Sequence, residues 1–253
     1  MILDQFQLHG RVAIVTGCNT GLGQGMARAL AQAGADIVGI NVAAPTETAE
    51  QVTSLGRQFL DLRANLADVG CIDGLLQQAL GLAGHIDVLV NNAGIIRRDD
   101  ALKFSEKDWD DVMDINVKSV FFFSQAVARQ YIAQQSGGKI INIASMLSFQ
   151  GGVRVPSYTA SKSGVMGITR LMANEWAVHG INVNAIAPGY MATDNTSALR
   201  ADASRNSSIL GRIPAARWGV ADDLAGPVVF LASAASNYIN GYTVAVDGGW
   251  LAR

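Results

Sequence analysis

Residues 11–23 read RVAIVTGCNTGLG, an apolar, β-branched run from Arg11 to Thr16 that ends in glycines at positions 17, 21 and 23. Such a run bounded by glycine predicts a buried strand. Leu22 to Ala33 then carries helical spacing up to Gly34, a residue suited to the position just past a helix end. The strand, glycine turn and helix set a pattern that the chain repeats. Asp36 to Asn41 (DIVGIN) reads as the next strand, and Thr46 to Leu55 as a helix that Thr46 caps after the loop-ending Pro45. Phe59 to Leu62 and Ile86 to Val90 are strand-like, with helical Val69 to Leu82 between them. Ser105 to Gln134 reads as one long helical region before the strand Lys139 to Ile143. A helix from Tyr158 to about Val178, the strand Ile181 to Ile186, a helix from Ala221 to about Ala234 and the strand Thr243 to Val246 complete the chain. Strands alternating with helices imply right-handed crossovers. The expected fold is therefore α/β: one doubly wound domain over residues 1–253, with a parallel seven-stranded sheet and helices on both faces. Only 193–220 breaks the rhythm, and its length and small polar residues mark it as a candidate lid at the carboxyl edge of the sheet.

Composition narrows the function classes. The chain has 253 residues, 49% of them hydrophobic and 16% charged, which excludes disorder and suits buried parallel strands or packed subunits. A formal charge of −2 leaves no cationic field for a nucleic-acid partner. Two widely separated cysteines, Cys18 and Cys71, outline neither a disulfide framework nor a metal site, and two free thiols in a reducing compartment are expected. With no signal-like start and no long apolar run, the reading is cytoplasmic and soluble, without membrane contact.

The glycines of Thr16 to Gly23 fall where a Cβ would block close approach of backbone to a pyrophosphate. The free amides and the helix dipole favour negative charge at that point. The spacing is TGxxxGxG. It continues in chain order with Asn91-Asn92-Ala93-Gly94, Asn116 in a helix, Ser145 after the fifth strand, Tyr158-Thr159-Ala160-Ser161-Lys162, and Pro188-Gly189 after the sixth. Together these motifs, which span essentially the whole chain, resemble the short-chain dehydrogenase/reductase family, with its Rossmann-like fold and nicotinamide cofactor.

The resemblance implies a catalytic set of Asn116, Ser145, Tyr158 and Lys162. Tyr158 and Lys162 are i, i+4 and share a helix face. A tyrosine titrates near pH ~10, so working near neutrality asks for ~4 kcal/mol of preferential stabilisation of the phenolate. The ammonium one turn away and a nicotinamide cation have the right sign to supply it. Ser145 is expected to bond the substrate oxygen, and Asn116 to bend its helix and hold a water that links the lysine to solvent. The cofactor is expected against Gly17, Asn19, Thr20, Gly21, Leu22, Gly23, Asn41, Asn65, Leu66, Asn92, Ala93, Gly94, Tyr158, Lys162, Pro188, Gly189, Met191 and Thr193, the last fixing the carboxamide.

Two residues depart from the family pattern. Asn41 stands where NAD-using members carry aspartate for the ribose hydroxyls, and Asn65 where an aspartate meets adenine. Thr20 and Val42, the positions where NADP-using members place a basic residue, are uncharged, so charge favours NAD over NADP. Phe149 to Ser157, Ile95 to Arg98 and Val246 to Arg253 look like a branch of the family that acts on deoxy-sugar acids, in uronate or pectin breakdown. Its substrate carries a carboxylate, for which Arg97 and Arg154 are the candidate partners beside Ser145 and Gln150. No metal is expected, and the family's habit implies a homotetramer. The alternatives are another reductase of the family, acting on a different sugar or a 3-oxoacyl thioester, and a nucleotide-sensing module without chemistry.

Overall fold

The computed structural model describes residues 1–253, the side chains of Leu82 and Ala83 excepted. Seven strands, β1 (Val12–Thr16), β2 (Asp36–Asn41), β3 (Phe59–Arg63), β4 (Val88–Asn91), β5 (Gly138–Ile143), β6 (Ile181–Pro188) and β7 (Thr243–Val246), pair in parallel in the order β3-β2-β1-β4-β5-β6-β7. Nine α-helices stand among the described residues: α1 (Gly21–Gln32), α2 (Thr46–Ser54), α3 (Ile72–Ala83), α4 (Glu106–Met113), α5 (Ser119–Gln134), α6 (Pro156–Trp176), α7 (Ser197–Ala201), α8 (Ala203–Arg212) and α9 (Ala225–Ala232).

Every residue of β1 is buried, because alternate side chains face alternate helical layers. Ala13 and Val15 join Ile37, Val88 and Val90 against Met26 and Leu30 of α1 and Val228 and Leu231 of α9. Val12 and Ile14 join Val38, Ile40 and Leu89 against Leu75 and Leu76 of α3, Phe123, Val127 and Tyr131 of α5, and Met172 of α6. The sheet is thus closed on both faces, as its apolar composition requires.

Three local expectations change. Thr46 is the first residue of α2 rather than its cap; Pro45 holds that position, and no side chain caps the helix. The stretch Ser105 to Gln134 is not one regular helix. Ser105 caps α4, its Oγ accepting from the Asp108 amide at 3.1 Å, and the wider π turn Asp114–Lys118 separates α4 from α5. The 193–220 segment contains α7 and α8, and Ile209 and Ile213 pack with Met146 and Trp250, so the candidate lid has its own apolar anchor.

Between β1 and β4 the order of strands reverses, which opens a crevice at their carboxyl ends. The segments after β1, β4, β5 and β6 all arrive at that edge. Among the described residues no helix is long and apolar enough to cross a membrane.

Candidate active site

The site begins with the turn after β1. Gly17 has φ +64 and Gly21 φ +60, backbone that L side chains rarely adopt, and a Cβ on Gly23 would collide with the Gly17 carbonyl. The turn is laced to the end of β4: Thr16 Oγ1 accepts from the amides of Asn92 (3.0 Å) and Ala93 (2.9 Å), and Asn92 Nδ2 donates to the carbonyls of Thr16 (2.9 Å) and Gly17 (2.8 Å). Deeper in the sheet, Asn91 Nδ2 donates to Ser124 Oγ and Asn142 Oδ1, both at 2.9 Å. The Asn91–Gly94 motif is therefore chiefly a fastening. It holds a bare backbone cradle, flanked by Asn19 and Thr20, open at the first turn of α1. A dinucleotide diphosphate fits such a cradle, because an added Cβ on Gly21 would meet only Thr193 Cγ2 at 3.9 Å.

Across the crevice, β5 delivers Ser145, and α6 delivers Tyr158 and Lys162 on one face. Ser145 is buried, and its Oγ accepts from the Leu147 amide at 3.1 Å. Lys162, also buried, donates from Nζ to the Ile143 carbonyl at 2.5 Å and lies 5.6 Å from the centre of the Tyr158 ring. Burial lowers the Lys162 ammonium to about 8. Burial pushes the Tyr158 phenol above its ordinary value, and the Ser145 hydroxyl and the Arg98 charge pull it back only in part. Lysine was the expected source of that lowering. In the chain by itself the pull comes instead from Ser145 and Arg98.

Asn116 is fully buried in the π turn, and its amide is used up. Oδ1 accepts from the Ile95 amide at 2.9 Å, while Nδ2 donates to the Ile95 carbonyl at 2.9 Å and to Ser161 Oγ at 3.1 Å. Ser161 Oγ in turn donates to the Tyr158 carbonyl at 2.8 Å. The side chain thus ties the loop after Gly94 to the helix of the tyrosine.

Other expected residues take more particular places. Asn41 is buried and turned inward, with Oδ1 accepting from the Cys18 amide at 2.7 Å, so that oxygen holds the glycine turn rather than facing a ribose. Asn65 Oδ1 accepts from the Ala67 amide at 3.1 Å in a local turn, beside buried Leu66. Pro188 ends β6, the Gly189 amide donates to the Val246 carbonyl at 3.0 Å, and buried Met191 bridges to Gly219. Gln150 is half-buried on the loop before α6.

The two arginines expected at the substrate are engaged elsewhere. Arg97 pairs with Asp108 (3.3 Å) and Asp111 (3.6 Å) of α4. Arg154, at φ +62, pairs with Asp100 (3.3 Å) and Asp99 (3.9 Å). Both clamp the 95–105 loop. The cation whose charge lowers the phenol is Arg98, whose Nη2 donates to the Asn195 carbonyl at 3.0 Å, joining that loop to the candidate lid. Neighbouring arginines in IIRR do not reveal from sequence which one pairs with α4 and which one meets the candidate lid.

The profile of the short chain dehydrogenase family matches residues 11–204. The 2-dehydro-3-deoxy-D-gluconate 5-dehydrogenase of Escherichia coli (strain K12) is 73% identical over 253 residues, the whole of both chains. The protein of the same name from Bacillus subtilis (strain 168) is 51% identical over 251 residues, 99% of this chain and 98% of that one. A solved gluconate 5-dehydrogenase from Burkholderia cenocepacia J2315, in complex with NADP and tartrate, superposes with a TM-score of 0.95 at 39% identity over 100% of both chains. A Gly-rich cradle at the switch point, a Ser–Tyr–Lys cluster across the crevice and family-wide similarity agree: the chain belongs to the short chain dehydrogenase family and is an oxidoreductase acting on a CH–OH group.

Proposed function

We propose that the substrate is 2-dehydro-3-deoxy-D-gluconate or a closely related deoxy-sugar acid, interconverted between secondary alcohol and ketone in the breakdown of pectin-like polymers. The observation that carries this beyond the family is Arg98. Its exposed guanidinium stands on the loop after Gly94, is tied to the candidate lid through the Asn195 carbonyl at 3.0 Å, and lowers the Tyr158 phenol by its charge, so a carboxylate-bearing substrate in the crevice would have a cation to meet. The names of the full-length relatives agree with that chemistry.

A nicotinamide dinucleotide held by the glycine cradle and Lys162 would supply the hydride chemistry at the carbinol carbon. Ser145 bonds the substrate oxygen and holds it against Tyr158. The phenol, as its phenolate, takes the hydroxyl proton in oxidation; in reduction it gives that proton to the ketone oxygen. Lys162, fixed by the Ile143 carbonyl, is the residue that would hold the nicotinamide ribose. Thr193, packed near Gly21, sits where the carboxamide end of the cofactor is expected. The finer assignment of NAD over NADP rests on the uncharged Thr20 and Val42.

The test is a substrate panel followed by the near-ultraviolet absorbance of the reduced cofactor. Turnover of the deoxy-sugar acid, with little for a neutral sugar of the same length or a 3-oxoacyl thioester, is the expected result. Preference for either control overturns the assignment. We also infer a cytoplasmic homotetramer. Exposed Ile132 and Leu171, with Phe121 and Trp176, line an apolar groove of about 320 Å³ between α5 and α6, a face suited to a second copy. A monomeric mass by light scattering would overturn that.

A further inference from the structure

We propose that Arg63 is a cofactor-selecting residue that receives the 2′-phosphate of NADP(H), so that this chain binds NADP(H) as well as NAD(H). The inference rests on the reading of the turn after β1 as a dinucleotide cradle. It begins with what the end of β2 lacks. An NAD-selective site of this architecture usually offers a carboxylate there, which accepts from the ribose hydroxyls and repels a 2′-phosphate. Here the residue is Asn41, which is uncharged. Its Oδ1 is committed to the Cys18 amide at 2.7 Å, and its Nδ2 lies 3.6 Å from Cys18 Sγ, so the carboxamide points into the turn. The end of β2 therefore presents neither the usual acceptor nor the usual repulsion.

The neighbouring strand supplies a charge instead. Arg63 is the last residue of β3 and stands in register with Asn41 across the parallel pair. On β3 the side chains alternate, with Leu62 in the layer of α3 and Phe59 in the layer of α1, and Arg63 shares the parity of Phe59. That places it on the face of the sheet that carries the glycine turn. Its Nη1 lies 3.4 Å from the carbonyl of Val42, the residue directly after β2, and its side chain is 44% exposed. The guanidinium thus stands beside the backbone of position 42, where the chain itself offers no basic side chain. One counter-charge is present: Asp61 lies 3.2 Å from Arg63 Nε. With Nε toward Asp61 and Nη1 toward the Val42 carbonyl, Nη2 and the outer edge of Nη1 are left for a phosphate, the anion whose geometry a guanidinium matches.

The experiment is calorimetric titration of the intact enzyme with NAD+, NADP+, 5′-AMP and 2′,5′-ADP, so that the readout is binding and not turnover. In the parent chain, 2′,5′-ADP should bind more tightly than 5′-AMP, and the advantage should shrink as salt rises. Arg63→Ala should weaken NADP+ and 2′,5′-ADP by about tenfold while leaving NAD+ and 5′-AMP within about twofold. Arg63→Lys should recover part of the loss, and Asp61→Asn should tighten NADP+ by about threefold through release of the guanidinium. Equal losses for phosphorylated and unphosphorylated ligands, or none for either, would overturn the assignment while leaving the dinucleotide cradle in place. If none of the four ligands binds the parent chain, the cradle itself has been misread and the proposal falls with it.

Discussion

Replacing Asn116 by alanine separates two accounts of that residue, one as a holder of loop geometry and one as a station for a proton. The side chain makes three hydrogen bonds, two of them with the backbone of Ile95 and one with Ser161. Ser161 keeps its own bond to the Tyr158 carbonyl when the amide goes, so it is not orphaned. The amide and carbonyl of Ile95 lose their partner. Ile95 is only half-buried, so water reaches these groups in part, and the low end of the ~1–3 kcal/mol cost of an unsatisfied buried group applies to each. The sum is about 2–3 kcal/mol. At ~2–4 °C per kcal/mol for a chain of this size, Tm should fall by roughly 4–12 °C in thermal unfolding of the variant beside the parent. Because the released loop carries Arg97 and Arg98, KM for the sugar acid should rise more than kcat falls. Asn116→Asp keeps the acceptor for the Ile95 amide but sets a carboxylate against the Ile95 carbonyl, and should be no more stable than the alanine variant. An unshifted Tm together with a large loss in kcat would refute the geometric account.

Three other outcomes are expected. Tyr158→Phe should lower kcat by at least ~10²-fold while dinucleotide affinity by calorimetry stays within a few-fold, since the general acid/base is lost and the ring is kept; full activity would remove Tyr158 from the chemistry. Arg98→Ala should raise KM for the sugar acid about ten- to fiftyfold with partial recovery in Arg98→Lys, whereas Arg97→Ala, which breaks contacts to α4, should cost mainly Tm; the reverse pattern in steady-state kinetics would exchange the two roles. Lys162 is lowered from 10.5 to about 8 by burial, so below pH 8 the folded chain bears the whole cost of a buried charge, and between pH 8 and 10.5 that cost fades as the folded state sheds a proton the unfolded state still holds. Lys162→Met should therefore unfold later than the parent by up to about 3 kcal/mol at pH 7, with the difference vanishing above pH 10.5 in denaturant titrations; a gap that does not depend on pH would sink the argument.

The sheet was legible because its strands are apolar runs bounded by glycine, and burial on both faces demands that composition. The π turn at Asn116 was not, because five residues of helical character look alike whether the turn is α or π. The helices within 193–220 were hidden by residues such as Ser, Asn and Asp, which favour caps and turns yet here follow one another in two short helices anchored by Ile209 and Ile213. Among the expected site residues, Ser145, Tyr158 and Lys162 come together because one follows β5 and two share a face of α6. The charged side chains were harder to place. Arg97, Arg98 and Arg154 are set apart by which way each leaves its loop, a property of tertiary packing, and Arg63 comes to the adenosine end through strand register rather than through sequence distance from the glycine turn.

The position of β1 in the sheet also bears on how the chain comes to be made. β1 pairs on one side with β2, which follows it closely, and on the other with β4, whose residues lie some seventy positions later. Until Val88–Asn91 leave the ribosome, the most hydrophobic strand of the protein has one edge without a partner, and the threonine that later fastens the cradle, Thr16, has nothing to fasten to. The first third of the polypeptide is therefore a sticky half-sheet, and the dinucleotide cradle is completed only when distant segments arrive. Emergence of residues 88–93, rather than closure of the glycine turn, covers the open edge of β1 and fastens the cradle, and the unpartnered edge then passes to β4 until Gly138–Ile143 arrive.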